Sequence, residues 1–236
     1  PELAESYETS KDGTEFTFRL RSNAKFHDGT QVTAEDVKFS FDVIFDETYN
    51  AAAQRPYYEG IKEVVIIDPL TVKFITKEKY FGNFTQVATL YIVPKHIYGD
   101  AKSGVKKNKT QIGSGPYKID VYDQGQSIQL VRNEDWYGFK LPANKGHYNF
   151  DRIYMRFVKD DKIAMERLKK GELDYIDMTA ENYEKDAVGP EWGKTVEKLK
   201  VQNKMPKQFG YFGWNLTKPL FQDRNVRIAL SHLFNR

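Results

Sequence analysis

The hydrophobic and polar positions near the start of the chain alternate first with the period of a strand and then with that of a helix. Apolar and polar residues alternate strictly over 16–20, which predicts a strand with one buried face. Over residues 33–45 the apolar positions recur every three to four residues, which predicts a helix with one apolar face. Thr33 followed by the acidic residues Glu35 and Asp36 resembles a capping box, so the helix is predicted to begin there.

A second pair of strands is predicted over residues 63–67 and 71–76. Both runs are rich in β-branched residues, and Pro69 between them is incompatible with a continuous helix. A weaker helical pattern follows over 80–91, and a polar, lysine-rich stretch over 100–110 then separates it from the rest of the chain. We therefore expect two parts, residues 1–100 and residues 101–236.

The second part is predicted to contain both strands and helices. A strand over 150–158, a helix over 160–170 ended by Gly171 and a strand over 173–178 would together form a parallel crossover, hence an α/β unit. The other predicted elements are strands over 115–121, 127–132 and 209–216, a helical region over 183–199 and a helix over 223–236. The last helix continues to the final residue without a Gly or Asn stop signal, which indicates a piece of a longer chain.

Composition excludes several classes of protein. The 236 residues are 40% hydrophobic, enough for a buried core, and the mean hydropathy is −0.66 with no apolar run long enough to span a bilayer. The 36 Lys and Arg residues nearly balance 33 Asp and Glu residues, so no global field favours nucleic acid. The absence of cysteine excludes disulfides and thiolate metal sites and suits an exported protein.

Residues with the chemistry of an active site are few. The four histidines stand apart without a metal-binding spacing, and no phosphate-binding loop is present, so we expect no metal, no cofactor and no catalytic residue. Acidic pairs at Asp160-Asp161 and at Asp174 with Asp177 are the only basis for an enzymatic alternative, and the first pair is placed as a helix cap. Aromatic residues make up 14% of the chain, which is high for an α/β domain; most are expected to pack in the core and some to line a binding site.

The order of the motifs along the chain resembles family 5 of the extracellular solute-binding proteins, the oligopeptide- and dipeptide-binding receptors of ABC importers. The resemblance covers essentially the whole chain. Its motifs are residues 4–8 (AESYE), 12–21 (DGTEFTFRLR), 25–30 (KFHDGT), 33–37 (TAEDV), 113–117 (GSGPY), 132–138 (RNEDWYG), 168–174 (LKKGELD) and 219–230 (PLFQDRNVRIAL). Residues 140–144 (KLPAN), Gly146 and 149–151 (NFD) further resemble the oligopeptide and microcin C type of receptor.

This resemblance implies an α/β fragment of a type II, cluster C-like periplasmic binding protein. Residues 1–100 would be the extra α/β domain of the family and residues 101–236 the middle portion of the first lobe, with the second lobe missing. In the family, a ligand is enclosed between two lobes, and the closed form docks on a membrane permease. The resemblance thus implies an oligopeptide or peptide-like ligand, an ABC permease as partner, and a periplasmic location, or an extracellular, lipid-anchored one, after removal of a signal peptide.

The resemblance also implies ligand-contacting residues. Tyr211, Phe212 and Trp214 match the ligand-facing strand of the first lobe, with core packing an equal alternative for Trp214. Tyr57 and Tyr58 follow Pro56 in a predicted loop, where exposed aromatic residues are not explained by the core. The acidic residue that binds a peptide's amino terminus in the family lies in the missing lobe. A sensor or adhesin built on the same fold is the alternative function.

Overall fold

The predicted alternating strand and its neighbours form a four-stranded antiparallel sheet. A computed structural model describes residues 2–100, 111–202 and 212–233. The sheet has the order β1-β2-β4-β3, with every neighbouring pair antiparallel. Its strands are β1 (Ala4–Thr9), β2 (Glu15–Leu20), β3 (Ile61–Asp68) and β4 (Thr71–Thr76). The predicted strand over 16–20 and the predicted hairpin at Pro69 are therefore confirmed, whereas β1, which is mostly polar, was not predicted.

Helix α1 (Ala34–Phe45) covers one face of this sheet and forms the main core with it. The alternation in β2 turns Phe16, Phe18 and Leu20 toward this core, and the helical spacing does the same for the apolar face of α1. Burial of these side chains supplies the hydrophobic stabilisation of the unit. Three shorter helices complete this region: α2 (Arg55–Tyr58), α3 (Asn83–Ala88) and α4 (Lys95–Tyr98).

Asp36 fixes both the start of α1 and the segment that precedes α4. Its side chain accepts hydrogen bonds from the backbone N–H of Thr33 at 2.9 Å and from the Thr33 hydroxyl at 2.8 Å. The other carboxylate oxygen accepts from the backbone N–H of Lys95 at 2.9 Å. The predicted capping box is thus confirmed, and Asp36, only 5% exposed, also joins two segments that are far apart in sequence.

A second antiparallel sheet follows, with the order β5-β6-β7. Its strands are β5 (Tyr117–Asp123), β6 (Ser127–Arg132) and β7 (Arg152–Arg156), which confirms three predicted strands. Chain contacts define two compact units, Pro1–Lys159 and Asp160–Arg236, and both sheets lie in the first. The division into residues 1–100 and 101–236 stays a prediction, because it concerns domains of the family rather than compactness.

The second unit contains helices but no strand in its described residues. Its helices are α5 (Asp161–Lys169), a π-helical turn (Asn182–Asp186), α6 (Pro219–Gln222) and α7 (Arg224–His232). Gly171 ends α5 as predicted, with a left-handed φ of 73°. No helix in the described part of the chain is long and apolar enough to cross a membrane.

Several predicted elements are corrected by the structure. Residues 173–178 form no strand, so the predicted parallel crossover is wrong, and every described strand pair is antiparallel. Aspartate is unfavourable in strands, and residues 173–178 contain Asp174 and Asp177. The Tyr175 hydroxyl donates a hydrogen bond to the Asp177 carboxylate within this segment. The helical regions predicted over 80–91 and 183–199 shrink to α3 and to the π-helical turn.

The strand predicted over 209–216 is also wrong wherever the structure describes it. Residues 212–216 are not in a strand, and residues 209–211 lie outside the described residues. The Asn215 side chain accepts from the backbone N–H and the hydroxyl of Thr217, at 3.0 and 2.7 Å, and so forms a local turn.

The capping role of Asp36 yields a stability prediction. The substitution Asp36→Ala removes the three hydrogen bonds that the carboxylate accepts, two from Thr33 and one from the Lys95 N–H. We expect a loss of about 1–3 kcal/mol in the free energy of unfolding, measured by urea denaturation. The matched control is Glu35→Ala, which removes an exposed ion pair with Lys95 and should leave the free energy nearly unchanged. Equal effects of the two substitutions would contradict the role given to Asp36.

Candidate functional site

A cavity of about 650 Å³ lies in the first unit beside the end of α1, and we call it the tyrosine-lined cavity. Its walls come from α1, from the loop after α1, from residues 91–98 and from residues 111–119, with His27 added from the turn before α1. The lining residues are His27, Phe39, Val43, Thr48, Tyr49, Asn50, Ala51, Tyr91, Ile92, Val93, Tyr98, Gln111, Ile112, Gly113, Tyr117 and Ile119. Four of the sixteen are tyrosines, so aromatic rings form much of its surface.

The loop after α1 is held in one conformation by local hydrogen bonds. Asp46 caps the short 3₁₀ turn Glu47–Tyr49 by accepting from the Thr48 N–H at 2.9 Å and from its hydroxyl at 2.6 Å. These bonds, the hydroxyl bond first, lower the pKa of Asp46 below its ordinary value. Asn50 then takes a left-handed conformation with φ of 47°, which turns the chain along the cavity wall.

Tyr49 extends from this loop to the opposite wall. Its hydroxyl donates to the Tyr98 carbonyl oxygen at 2.6 Å, and its ring packs edge-on against Phe39 of α1. Desolvation, with a smaller effect from the charge of Asp46, raises the pKa of Tyr49, so the phenol remains neutral at physiological pH. Tyr49 thereby joins three segments of the cavity wall.

His27 fixes the glycine-rich wall at residues 113–115. Its Nδ1 accepts from the Gly113 N–H at 3.2 Å, and its Nε2 lies 3.1 Å from the Gly115 carbonyl oxygen, to which it donates. A backbone bond from the His27 N–H to the Gly113 carbonyl, at 2.8 Å, completes the link. Only the neutral imidazole protonated on Nε2 makes both side-chain bonds.

The environment of His27 favours this neutral form. Desolvation is the largest effect and lowers the pKa of His27. The hydrogen bond to the Gly115 carbonyl and the charge of Asp28 raise this pKa, the Lys118 ammonium lowers it, and the net shift is downward. Asp28 in turn pairs with His96, whose Nε2 is 2.7 Å from its carboxylate. The turn at residues 27–28 therefore contacts two separate segments through two adjacent side chains.

A second cavity, of about 840 Å³, lies on the apolar side of the four-stranded sheet. Phe18, Leu20 and Phe74 of the sheet contribute to its walls, together with Trp136 and Tyr137. The indole N–H of Trp136 is buried and finds no hydrogen-bond acceptor within the described ranges. This cavity adjoins both hydrophobic clusters of the first unit, and Glu2, Thr89 and Ser114 add polar groups to its walls.

The residues predicted to contact ligand occupy different environments. Tyr57 is 63% exposed, as expected, although it lies in α2 rather than in a loop. Tyr58 is 8% exposed and packs edge-on against Phe41 in the core, so the expected exposure is wrong for this residue. It lies three residues before β3, and its ring contacts Phe41 of α1. Ligand contact by either tyrosine stays a prediction.

The remaining predicted contacts lie in the second unit. Phe212 is 69% exposed, whereas Trp214 is half-buried and stacks on Phe221 with ring centroids 5.2 Å apart. Tyr211 lies outside the described residues. Ligand contact by these three residues also stays a prediction, and the stacking gives Trp214 a packing role in addition.

The tyrosines of the cavity were missed by sequence reasoning. Tyr49, Tyr91, Tyr98 and Tyr117 are spread over nearly seventy residues, so no local motif connects them. The only sequence signal was the high aromatic content, which does not say which rings share a wall.

The first of the acidic pairs that supported an enzymatic alternative, Asp160-Asp161, is engaged in structural bonds. Asp160 caps α5 by accepting from the Ile163 N–H at 3.0 Å, and Asp161 accepts from the Asn182 side chain at 2.7 Å. These roles are those of helix ends and loop contacts, as the sequence position of the first pair indicated.

Comparison with known proteins assigns the family. The model of bacterial extracellular solute-binding proteins, family 5 middle region, matches residues 1–236. This chain belongs to that family. The family's description is solute binding outside the cytoplasm, in agreement with the resemblance carried by the motifs and with the α/β fragment expected from them.

The oligopeptide-binding protein AppA of Bacillus subtilis is 31% identical over 99% of the chain, which spans 41% of its length. Its structure in complex with a nonapeptide matches 98% of this chain and 44% of the AppA chain, with a TM-score of 0.74 and 30% identity. NikZ of Campylobacter jejuni, solved with Ni(L-His), matches 79% of this chain and 37% of its own, with a TM-score of 0.67 and 29% identity. The chain therefore spans less than half the length of these family 5 relatives.

The bonds of His27 predict how the stability of this family 5 chain depends on pH. Because the pKa of His27 is lowered on folding, its contribution to stability is complete above the ordinary value of 6.5 and is lost as the pH falls below it. The unfolding free energies of wild type and His27→Asn should thus differ most at pH 8 and converge toward pH 5. His147→Asn, at an exposed histidine, is the control. A difference that is constant with pH would contradict this role of His27.

Proposed function

We propose that this chain is part of the substrate-binding component of an ABC importer, which captures oligopeptides or peptide-like compounds between two lobes and delivers them to a membrane permease. The observation that carries the proposal is the match of nearly the whole chain to AppA, which was solved with a nonapeptide. Residues 1–100 then correspond to the extra α/β domain, and residues 101–236 to the middle of the first lobe. The protein would act in the periplasm, or outside the cell on a lipid anchor.

The chemistry of this function is binding, without a bond made or broken. An extended peptide needs hydrogen-bond partners for its backbone and tolerant walls for its varied side chains, and aromatic residues supply such walls. The exposed rings of Tyr57 and Phe212 support this role, because burial in the core does not account for them. Closure on the ligand is a population shift, since only the closed form contacts the ligand from both lobes.

The proposal predicts a difference between this chain and a protein of the relatives' length that contains it. Ligand that binds only the folded state raises the melting temperature, by the equivalent of about 2.7 kcal/mol at a hundred times the dissociation constant. With a pool of di- to decapeptides, we expect a rise in the longer protein and little or none in the 236-residue chain. Absence of any rise in the longer protein would contradict peptide binding.

A substitution tests the contribution of Tyr57. Because Tyr57 is largely exposed, Tyr57→Ala should leave the melting temperature of the free protein unchanged and weaken peptide binding about three- to thirtyfold, measured by calorimetry on the longer protein. The matched control is Phe81→Ala, which truncates a ring that is 91% exposed and lies in a different loop. Equal affinities of Tyr57→Ala and wild type would remove Tyr57 from the site.

A further inference from the structure

Strand β3 (Ile61–Asp68) forms an open edge of the four-stranded sheet. It pairs with β4 on one side, and within residues 2–100, 111–202 and 212–233 no strand pairs with its other side. Every second residue of such an edge points its N–H and C=O away from the sheet, where they can pair with another strand. Six of the eight residues of β3 are exposed, so the rest of the described chain leaves this edge accessible.

The middle of β3 is apolar, which is unusual for an open edge. Val65, Ile66 and Ile67 are 37%, 38% and 53% exposed. Soluble proteins generally protect an open edge with charged residues or proline, because an exposed apolar edge promotes pairing between chains. The opposite edge, β1, follows this rule with Glu5 and Glu8 along its length. Strand β3 thus offers a run of three exposed aliphatic side chains that β1 lacks.

The charges of β3 indicate that its partner is a second copy of the same strand. Two copies related by a two-fold axis pair antiparallel, and each side chain then faces its mirror position across the axis. With Val65 on the axis, Lys62 of each copy lies opposite Asp68 of the other, and two pairs of opposite charge flank the apolar centre. A shift by one residue in one direction places Lys62 opposite Ile67. A shift in the other direction places Glu63 opposite Asp68, and both are acidic.

The same register matches the two faces of the sheet. Directly opposed residues of antiparallel strands share a face. Ile66 lies opposite the buried Val72, so it belongs to the core side of the sheet, as does the buried Val64. A two-fold axis at Val65 places Val64 of one copy opposite Ile66 of the other. The exposed Ile66 therefore gains an apolar neighbour on the apolar face of its own sheet.

We propose that this chain forms a symmetric dimer in which the β3 strands of two copies pair antiparallel about Val65 and join their two sheets into one. The proposal goes beyond the importer function and does not involve the ligand. The pairing of β3 with β4 is irregular near both ends, so the regular edge is short and the interface is smaller than those of stable dimers. We expect a dissociation constant of about 10–100 μM.

Charge reversal tests the register of the two strands. Lys62→Glu sets two acidic side chains against each other at both ends of the interface, and Asp68→Lys sets two basic ones. Each variant alone should dimerise at least about tenfold more weakly than wild type, measured by analytical ultracentrifugation of the 236-residue chain. In a mixture of the two variants, the mixed dimer regains both pairs of opposite charge and should form about as readily as the wild-type dimer. Failure of the mixture of folded variants to dimerise would overturn the proposal.

Val65 tests the position of the two-fold axis, because it faces itself there. Val65→Lys places two ammonium groups together and should abolish dimerisation, while the partial exposure of Val65 allows the chain to fold. The matched control is Val121→Lys, at an exposed valine in β5, an edge strand of the second sheet, and it should dimerise like wild type. If Asp68→Lys fails to fold because it loses the bond from the Leu70 N–H, Val65→Lys and Lys62→Glu decide. Dimerisation of Val65→Lys at the wild-type level would contradict the proposal.

The same measurement on a protein of the relatives' length identifies the other possible occupant of this edge. A dimer that Val65→Lys abolishes there supports the proposal. If the longer protein stays monomeric while the 236-residue chain dimerises, another part of the longer chain covers β3 and the proposal fails. It also fails if both proteins are monomeric. No peptide is present in these measurements, so their outcome leaves the importer function unaffected, and a failure to bind peptide leaves the dimer unaffected.

Discussion

The buried carboxylate of Asp36 is the interaction on which the arrangement of the first unit depends. It begins α1 by accepting from Thr33 and at the same time holds the backbone of Lys95, almost sixty residues later. One turn along the helix, the Ser40 hydroxyl accepts from the Val93 N–H at 2.8 Å and reinforces the same attachment. Helix α1 and the segment at residues 91–95 are thereby fixed to each other, and both contribute residues to the tyrosine-lined cavity.

The cavity wall at residues 113–115 depends on a different polar side chain, that of His27. His27 holds residues 113–115 through bonds that require its neutral form. Polar bonds between distant parts of the sequence thus hold the cavity walls in place, and most of the lining consists of aromatic and apolar side chains.

Sequence patterns predicted the parts of the fold that depend on local chemistry. The period of two at residues 16–20, the capping residues Thr33 and Asp36 and the stop at Gly171 each act within a few residues, and the structure confirms them. The parallel crossover failed because a strand also needs a distant partner, which the pattern of residues 173–178 does not specify. Strand β1 was missed for the converse reason, since pairing with β2 makes a strand of a mostly polar segment.

The candidate site was less predictable from sequence than the fold. The family resemblance implied ligand contact by both Tyr57 and Tyr58, but α2 exposes the first and buries the second, because neighbours in a helix point about 100° apart. The tyrosines of the cavity come from three segments, and the tertiary bonds of Asp36, Ser40, His27 and Tyr49 bring these segments together.

Calorimetric titration of a ligand-free protein of the relatives' length tests the central claim, that the protein of which this chain forms part binds peptides. The account predicts saturable heat at one peptide per protein, with a negative heat-capacity change from the burial of apolar surface. Saturable binding of a solute without amide bonds, together with no heat from any peptide, would contradict it.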